Sequence, residues 1–557
     1  MSALCAGRHA PDLGPNVLLF QPAMPAAEMQ QQIDRVYAAQ QYSEFGAGRF
    51  ALLFAPGSYR VDVPIGFYTE VMGLGVVPDA VRIDGNVHSD ASRPRNNATC
   101  DFWRAAEGFA VKPTGGTMQW AVSQAAPFRR MHVEGGLMLH QQRGWASGGW
   151  ISDSLVDGNV DSGSQQQWIT RNSEWGSWTG SNWNMVFVGV NRPPAGDWPQ
   201  PVYTKVAATP VVREKPFLFV DERGRYFVRV PELRRQSSGI SWHGGATPGR
   251  SIPLRRFFVA KPGDTAAIIN AQLAAGKNLL LTPGIYTLDA PLRVERPGTI
   301  VLGLGFATLE PVSGTAALET ADADGIVVAG VLFDAGPVES PVLVRVGTPG
   351  SHAGHATNPI SLHDVFFRVG GAAVGRARVN LEIDANDTIV DHTWIWRADH
   401  GAGVGWTSNT SANGMVVNGN RVTAYGLFVE HYQQFQVLWK GDAGRTYFYQ
   451  SEIPYDAPDQ AGYTSAEGTN GWASYKVADG VATHEAWGLG IYSVFRHPDV
   501  KLTRAIEVPR RPGVRFHHMI TVALDNLGEI SNVIDDAGGP TATKPRATPK
   551  LAEFPPQ

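Results

Sequence analysis

Apolar residues recur along this chain in runs of three to six, closed by Gly, Asn or Asp. That rhythm predicts short β-strands joined by turns. Two stretches carry apolar positions at helical spacing instead: AAEMQQQIDRVYAAQ (26–40) and DTAAIINAQLAAG (264–276). After each comes the same pattern of strand, Pro-Gly turn, strand and Gly-x-Gly turn. The first copy reads LLFAPGSY (52–59) then MGLG (72–75); the second reads LLLTPGIY (279–286) then LGLG (302–305). The copies are offset by 227 residues, Pro56 to Pro283, which marks two similar domains and not a short-period solenoid. Segments such as TADADGIVVAGVLFDAGPVESPVLVRVG (320–347) fit successive rungs of a parallel β-helix, with an Ile/Val/Leu interior and one long exposed face. The expected fold is therefore all-β: two tandem right-handed parallel β-helix domains with short capping helices. An array of β-sandwiches is the alternative; the helix-then-PGxY opening favours the β-helix. The expected divisions are an N-terminal β-helix over 1–240, a linker over 241–256, a C-terminal β-helix over 257–540 and a loose Pro-rich tail over 541–557.

Composition narrows the function classes. At 557 residues, with 43% hydrophobic and 18% charged, the chain is long enough for two or three folded domains. A net charge of −4 without a basic block argues against nucleic acid as a partner. No apolar run approaches the roughly 20 residues of a membrane span, and MSALCAGRHAPDLG at the start lacks the apolar segment of a signal peptide. Cys5 and Cys100 set up neither a disulfide framework nor a zinc motif, and whether they pair is left open. Phosphate-loop, dinucleotide and HExxH motifs are absent, so no cofactor and no metal are expected. Several of the 16 Trp lie in polar, Gly-rich surroundings such as GWASGGW (144–150). They read either as shelves for carbohydrate or as caps on a β-core.

The candidate chemistry lies between Tyr425 and Tyr455, where Glu430 and Glu452 stand among aromatic residues with few charges beside them. Desolvation raises a carboxyl pKa, and a carboxylic acid still protonated near neutrality can act as a general acid. Aromatic faces beside it suit the apolar faces of sugar rings. The residues alone point to glycan cleavage.

Seven segments then carry a family resemblance: WAVSQAAPFRRMHV (120–133), SGGWISD (147–153), SQQQWITRN (164–172), TWIWRADH (393–400), VEHYQQFQVLW (429–439), YQSEIPY (449–455) and AWGLGIYSVF (486–495). In this order, behind the duplicated opening, they resemble glycoside hydrolase family 55, the β-1,3-glucanases built as two tandem right-handed β-helices. The resemblance implies an inverting, exo-acting hydrolase with its site between the two helices. It places the general acid at Glu452, a supporting carboxylate at Glu430, and the holders of the attacking water at Gln124 and Ser147. Substrate contacts are expected from Trp394, Trp396, Asp399, His400, Trp406, Trp439, Tyr449 and Tyr455. Asp456, Asp479 and Glu485 are the spare carboxylates. Ala125-Ala126-Pro127 replaces the family's usual continuation after the matched Gln, GAGVGW follows RADH where the family is more acidic, and 458–487 has its own character. These departures leave room for a glycan other than plain β-1,3-glucan.

A polysaccharide lyase and a non-catalytic carbohydrate-binding β-helix are the competing readings. The first wants a basic proton abstractor, but Lys and Arg are sparse around Glu452; the second has no use for paired desolvated glutamates. The expected partner is a polysaccharide, with no nucleic acid or membrane, and the expected protein is an extracellular monomer.

Overall fold

The computed structural model describes residues 11–465, 468–525, 527–543 and 545–556. Its strands form two parallel coils side by side. In the first, a nine-stranded sheet runs from Val17–Phe20 to Tyr203–Val206, faced by an eight-stranded sheet. In the second, the long sheet starts at Phe257–Ala260 and includes Gly513–Ala523, faced by eight strands from Leu292–Val294 to Ile506–Glu507. Successive rungs pair in parallel, as in Ile389–Arg397 with Thr423–Glu430 and Thr423–Glu430 with Gly444–Glu452. The two helices seat where expected, at the open end of each coil. Ala26–Gln40 buries Met29, Ile33, Val36 and Gln40, and Ala266–Ala274 buries Ala266, Ile269 and Leu273. A cap there covers the first rung, which would otherwise leave a free edge. The Thr265 hydroxyl starts the second helix by accepting from the Ile268 amide at 3.3 Å.

The duplicated turn has one physical cause in both halves. The Tyr59 hydroxyl donates to the Ala55 carbonyl at 2.6 Å, and the Tyr286 hydroxyl donates to the Thr282 and Ala260 carbonyls at 2.9 and 2.8 Å. Each Tyr thus closes the Pro-Gly turn four residues before it. The Gly must be Gly: a Cβ at Gly57 or Gly284 would lie 2.2 Å from the Pro22 or Pro262 ring.

Each coil has its own aliphatic interior. A third cluster joins them, with Tyr68, Trp103, Trp150 and Ile169 from the first coil against Phe366, Trp394, Tyr425 and Phe428 from the second. Beside it runs a buried charged seam. Arg129 reaches Asp364 at 2.7 Å and Asp391 at 2.9 Å, and Arg171 reaches Asp391 at 2.8 Å.

Two expected divisions move. The first coil's last strand is Tyr203–Val206, and the chain then forms antiparallel strands, so the region before residue 240 is not all β-helix. Gly249–Pro253, inside the expected linker, pairs with Tyr226–Pro231. The tail is not loose either: Lys550–Phe554 pairs antiparallel with Gly513–Ala523, and Phe554 is buried. The Trp question resolves toward the core. Trp103, Trp120, Trp150, Trp168, Trp175, Trp394, Trp396 and Trp439 are fully buried, whereas Trp145 is 57% exposed. Cys5 lies outside the described residues, and among the described residues Cys100 has no disulfide partner. Among the described residues no helix is long and apolar enough to cross a membrane.

Candidate functional site

In a parallel coil, residues in register stack on successive rungs about 4.8 Å apart. The register here runs Trp396, Glu430, Glu452, Tyr492, so these four form one row across the end of the second coil's long sheet. Both glutamates close their strands. The backbone then turns at His431, with φ 68°, and the His431 amide donates to the Glu452 carbonyl at 2.8 Å. On the first coil, Gln124 stands before Ala125, whose φ of 56° turns the chain toward the seam.

The two coils meet through these side chains. Gln124 Nε2 donates to Glu430 Oε1 at 2.9 Å, although the residues are 306 apart in sequence. Ser147 Oγ donates to Gln124 Oε1 at 3.0 Å. Trp394 Nε1 donates to Glu430 Oε2 at 2.9 Å. The Tyr455 hydroxyl donates to Glu452 Oε2. Gln124, Ser147, Glu430 and Glu452 border a cavity of about 440 Å³, with Trp396, Asp399, His400 and Tyr455 also on its wall. That volume is in the range of small-ligand pockets. A larger hollow of about 650 Å³ lies at the C-terminal strand, lined by Arg510, Arg515 and Glu553, away from these carboxylates.

Two adjacent carboxyls in a desolvated pocket cannot both ionise cheaply. Burial pushes Glu430 up to about 7, opposed by hydrogen bonds from Trp394 and Gln124. Burial also pushes Glu452 well above the ordinary carboxyl range, reinforced by the charges of Glu430 and Asp399. Glu430 has donors on both oxygens and is 3% exposed, so it is the better holder of the negative charge. Glu452 is half-buried and faces the cavity, so it is the better holder of the proton. Asp399 and His400 form a fixed ion pair at 2.8 Å. Burial opposes both charges. The His400 hydrogen bond nonetheless takes Asp399 down to about 2, and hydrogen bonds with Asp399, Cys100 and Glu44 lift His400 to about 12.

The expected site residues separate into three groups. Gln124, Ser147, Glu430 and Glu452 come together, and Trp396, Asp399, His400 and Tyr455 border the same cavity. Trp394 is 1% exposed, does not border the cavity, and reaches the site as a hydrogen-bond donor to Glu430. Trp439 and Tyr449 are 0% exposed inside the second coil and Trp406 is partly buried against that interior, with the Arg397 guanidinium over its ring, so none of the three borders the cavity. Strands Val437–Trp439 and Gly444–Glu452 point Trp439 and Tyr449 inward, and the period of two decides the face regardless of how aromatic the neighbours are. The spare carboxylates lie elsewhere: Asp456 pairs with Arg397 at 2.8 Å, Asp479 with Lys476 and Glu485 with His517. Sequence reasoning did not assign Arg93, Phe102, Gln166 and Arg496, which also line the cavity. Gln166 lay within a quoted segment, SQQQWITRN; the two Arg carried no local signal.

Comparison with known proteins gives consistent findings. Residues 257–452 match the profile of the LAM55 pectate lyase-like domain. An exo-beta-1,3-glucanase of Streptomyces sp. (strain SirexAA-E / ActE) is 49% identical over 547 residues, covering 98% of this chain and 90% of that protein. The solved structure of sacteLam55A from Streptomyces sp. SirexAA-E superposes with a TM-score of 0.96 at 49% identity, covering 98% of this chain and 99% of that one. A single-residue variant of sacteLam55A in complex with glucose matches with the same TM-score, identity and coverage.

Proposed function

The chain belongs to glycoside hydrolase family 55, and from that premise we propose that it is an exo-acting hydrolase of β-1,3-glucan that inverts the anomeric centre. The observation that carries the reading is the Ser147–Gln124–Glu430 hydrogen-bond chain, which joins the first coil to a row of two carboxyls on the second. Glu452 donates its proton to the leaving glycosidic oxygen, held in place by Tyr455. Glu430 keeps that proton on Glu452 by carrying the charge itself. It sits one rung away, about 4.8 Å at the backbone. An opposite-face base stands roughly 6.5–9.5 Å from the acid, so Glu430 is not placed as that base. Gln124 and Ser147, on the facing coil, hold the attacking water. Asp399 and His400, fixed as an ion pair, offer charged hydrogen-bonding groups to sugar hydroxyls at the rim.

A polymeric glucan substrate supports an extracellular site of action. Glucose release from laminarin, curdlan, β-1,6-glucan and mixed-linkage glucan, with a uronide polymer as control, tests the proposal. Glucose as the sole early product from β-1,3-glucans, lost in Glu452→Gln, is expected. Early oligosaccharide products would exclude exo action, and an undiminished Glu452→Gln rate would exclude the acid assignment.

A further inference from the structure

At the rim of the cavity, three donors of different chemistry converge from three separate segments. Glu44 follows the first capping helix, Cys100 precedes strand Arg104–Glu107, and His400 follows strand Ile389–Arg397. One ligand atom of each lies within 4.8 Å of both others. The hydrolysis described above uses neither Glu44 nor Cys100. We infer that Glu44, Cys100 and His400 form a binding site for a thiophilic divalent cation of the zinc class, spanning the two coils beside the glucan pocket.

Four features support the site. First, the donor set of thiolate, imidazole and carboxylate is what zinc-class ions prefer, and hard cations such as Mg²⁺ or Ca²⁺ disfavour it. Second, the His400 ring is already oriented. Nδ1 is held by Asp399 at 2.8 Å, which aims Nε2 at Glu44 Oε1, 2.7 Å away. A carboxylate behind a ligating His is the usual support of a metal-bound imidazole. Third, the reach is close. Bonds of about 2.0–2.3 Å at tetrahedral angles separate donor atoms by roughly 3.3–3.7 Å; all three donors lie within 4.8 Å of one another, and the His400–Glu44 pair, now hydrogen-bonded at 2.7 Å, opens by under about 1 Å to admit the ion. Fourth, Arg93 binds Glu44 through Oε2 at 3.2 Å and leaves Oε1 to the ion. The cation would replace the proton between His400 and Glu44 and the thiol proton of Cys100, both released to solvent. Three protein ligands leave a fourth position open toward the cavity.

Cobalt(II) titration of the full chain tests this site independently of glucan hydrolysis. One equivalent should bind and produce a sulfur-to-cobalt charge-transfer band in the near ultraviolet. Cys100→Ser, which keeps Cys5 as an internal control, should lose the band with unchanged circular dichroism. Glu44→Gln should weaken binding at least tenfold. Zinc should then inhibit glucose release from laminarin in the wild type, relative to each variant's own metal-free rate, and inhibit Cys100→Ser at least tenfold less. Binding without the band, a band that persists in Cys100→Ser, or no binding at all would each overturn the assignment.

Discussion

In the proposed mechanism Glu452 and Glu430 do different work although both are glutamates on neighbouring rungs. The difference is set by their partners: Glu430 accepts from Gln124 and Trp394, while Glu452 borders the open cavity and accepts from the Tyr455 phenol. Glu452→Gln should lower kcat by about 10²–10⁴, the usual weight of a general acid, with an unchanged melting profile at acid pH. Glu430→Gln removes the like charge, so the acid's pKa falls and the alkaline limb of the kcat/KM profile moves to lower pH. An unmoved limb in that variant would dissociate the two carboxyls. The pair also links stability to pH. Both pKa values are raised in the folded state, to about 7 for Glu430. The native protein therefore binds protons that the unfolded chain has released above about pH 4.5. Stability should fall as pH rises from there through 7, and melting temperatures of Glu452→Gln across that window should decline less steeply than those of the wild type. Glu430 and Glu452 were legible in the sequence because carboxyls among aromatics are conspicuous and their motifs match a family. Arg93, Arg496 and Glu44 were not, because each is an ordinary polar residue until the fold brings it to the rim. The sequence separation of 356 residues between Glu44 and His400 defeats any motif search.

At the scale of elements, the PGxY turn was readable twice over because local chemistry writes it. A Tyr hydroxyl closes the loop, and a Gly admits the Pro22 or Pro262 ring packed against it. Gly284→Ala pushes a Cβ to 2.2 Å from Pro262 Cγ and should cost about 1–3 kcal/mol, in the range of overpacked sites. Urea unfolding would measure it, and a neutral result would mean that the turn relaxes freely. The antiparallel strands between 209 and 253 were harder to read. Two of them, RRQS at Arg234–Ser237 and GRSIP at Gly249–Pro253, are polar with weak alternation, and each pairs with a strand roughly 20 residues away in sequence. The inward faces of Trp439 and Tyr449 were likewise hidden, since a one-residue change of register reverses which side chain meets water.

At the scale of the molecule, the two coils act as one body because charge and aromatic surface are buried between them. Arg129 serves Asp364 and Asp391 at once, so Arg129→Met leaves two buried carboxylates short of a partner. Breaking such a pair costs about 3–5 kcal/mol, and a shift of that size in the denaturation midpoint is expected, together with lower glucanase activity as the Gln124–Glu430 contact loosens. The last strand has a consequence of a different kind. A parallel ladder is in principle endless, because its final rung offers the same hydrogen-bonding edge that every earlier rung has already used. Lys550–Phe554 runs the opposite way across Gly513–Ala523 and occupies that edge with a strand of reversed polarity. It works as a terminator: Gly513–Ala523 is left with no open edge there for another molecule's uncapped last rung to pair with. A chain ending at residue 541 should therefore keep its catalytic row yet associate end to end, visible as concentration-dependent growth in light scattering.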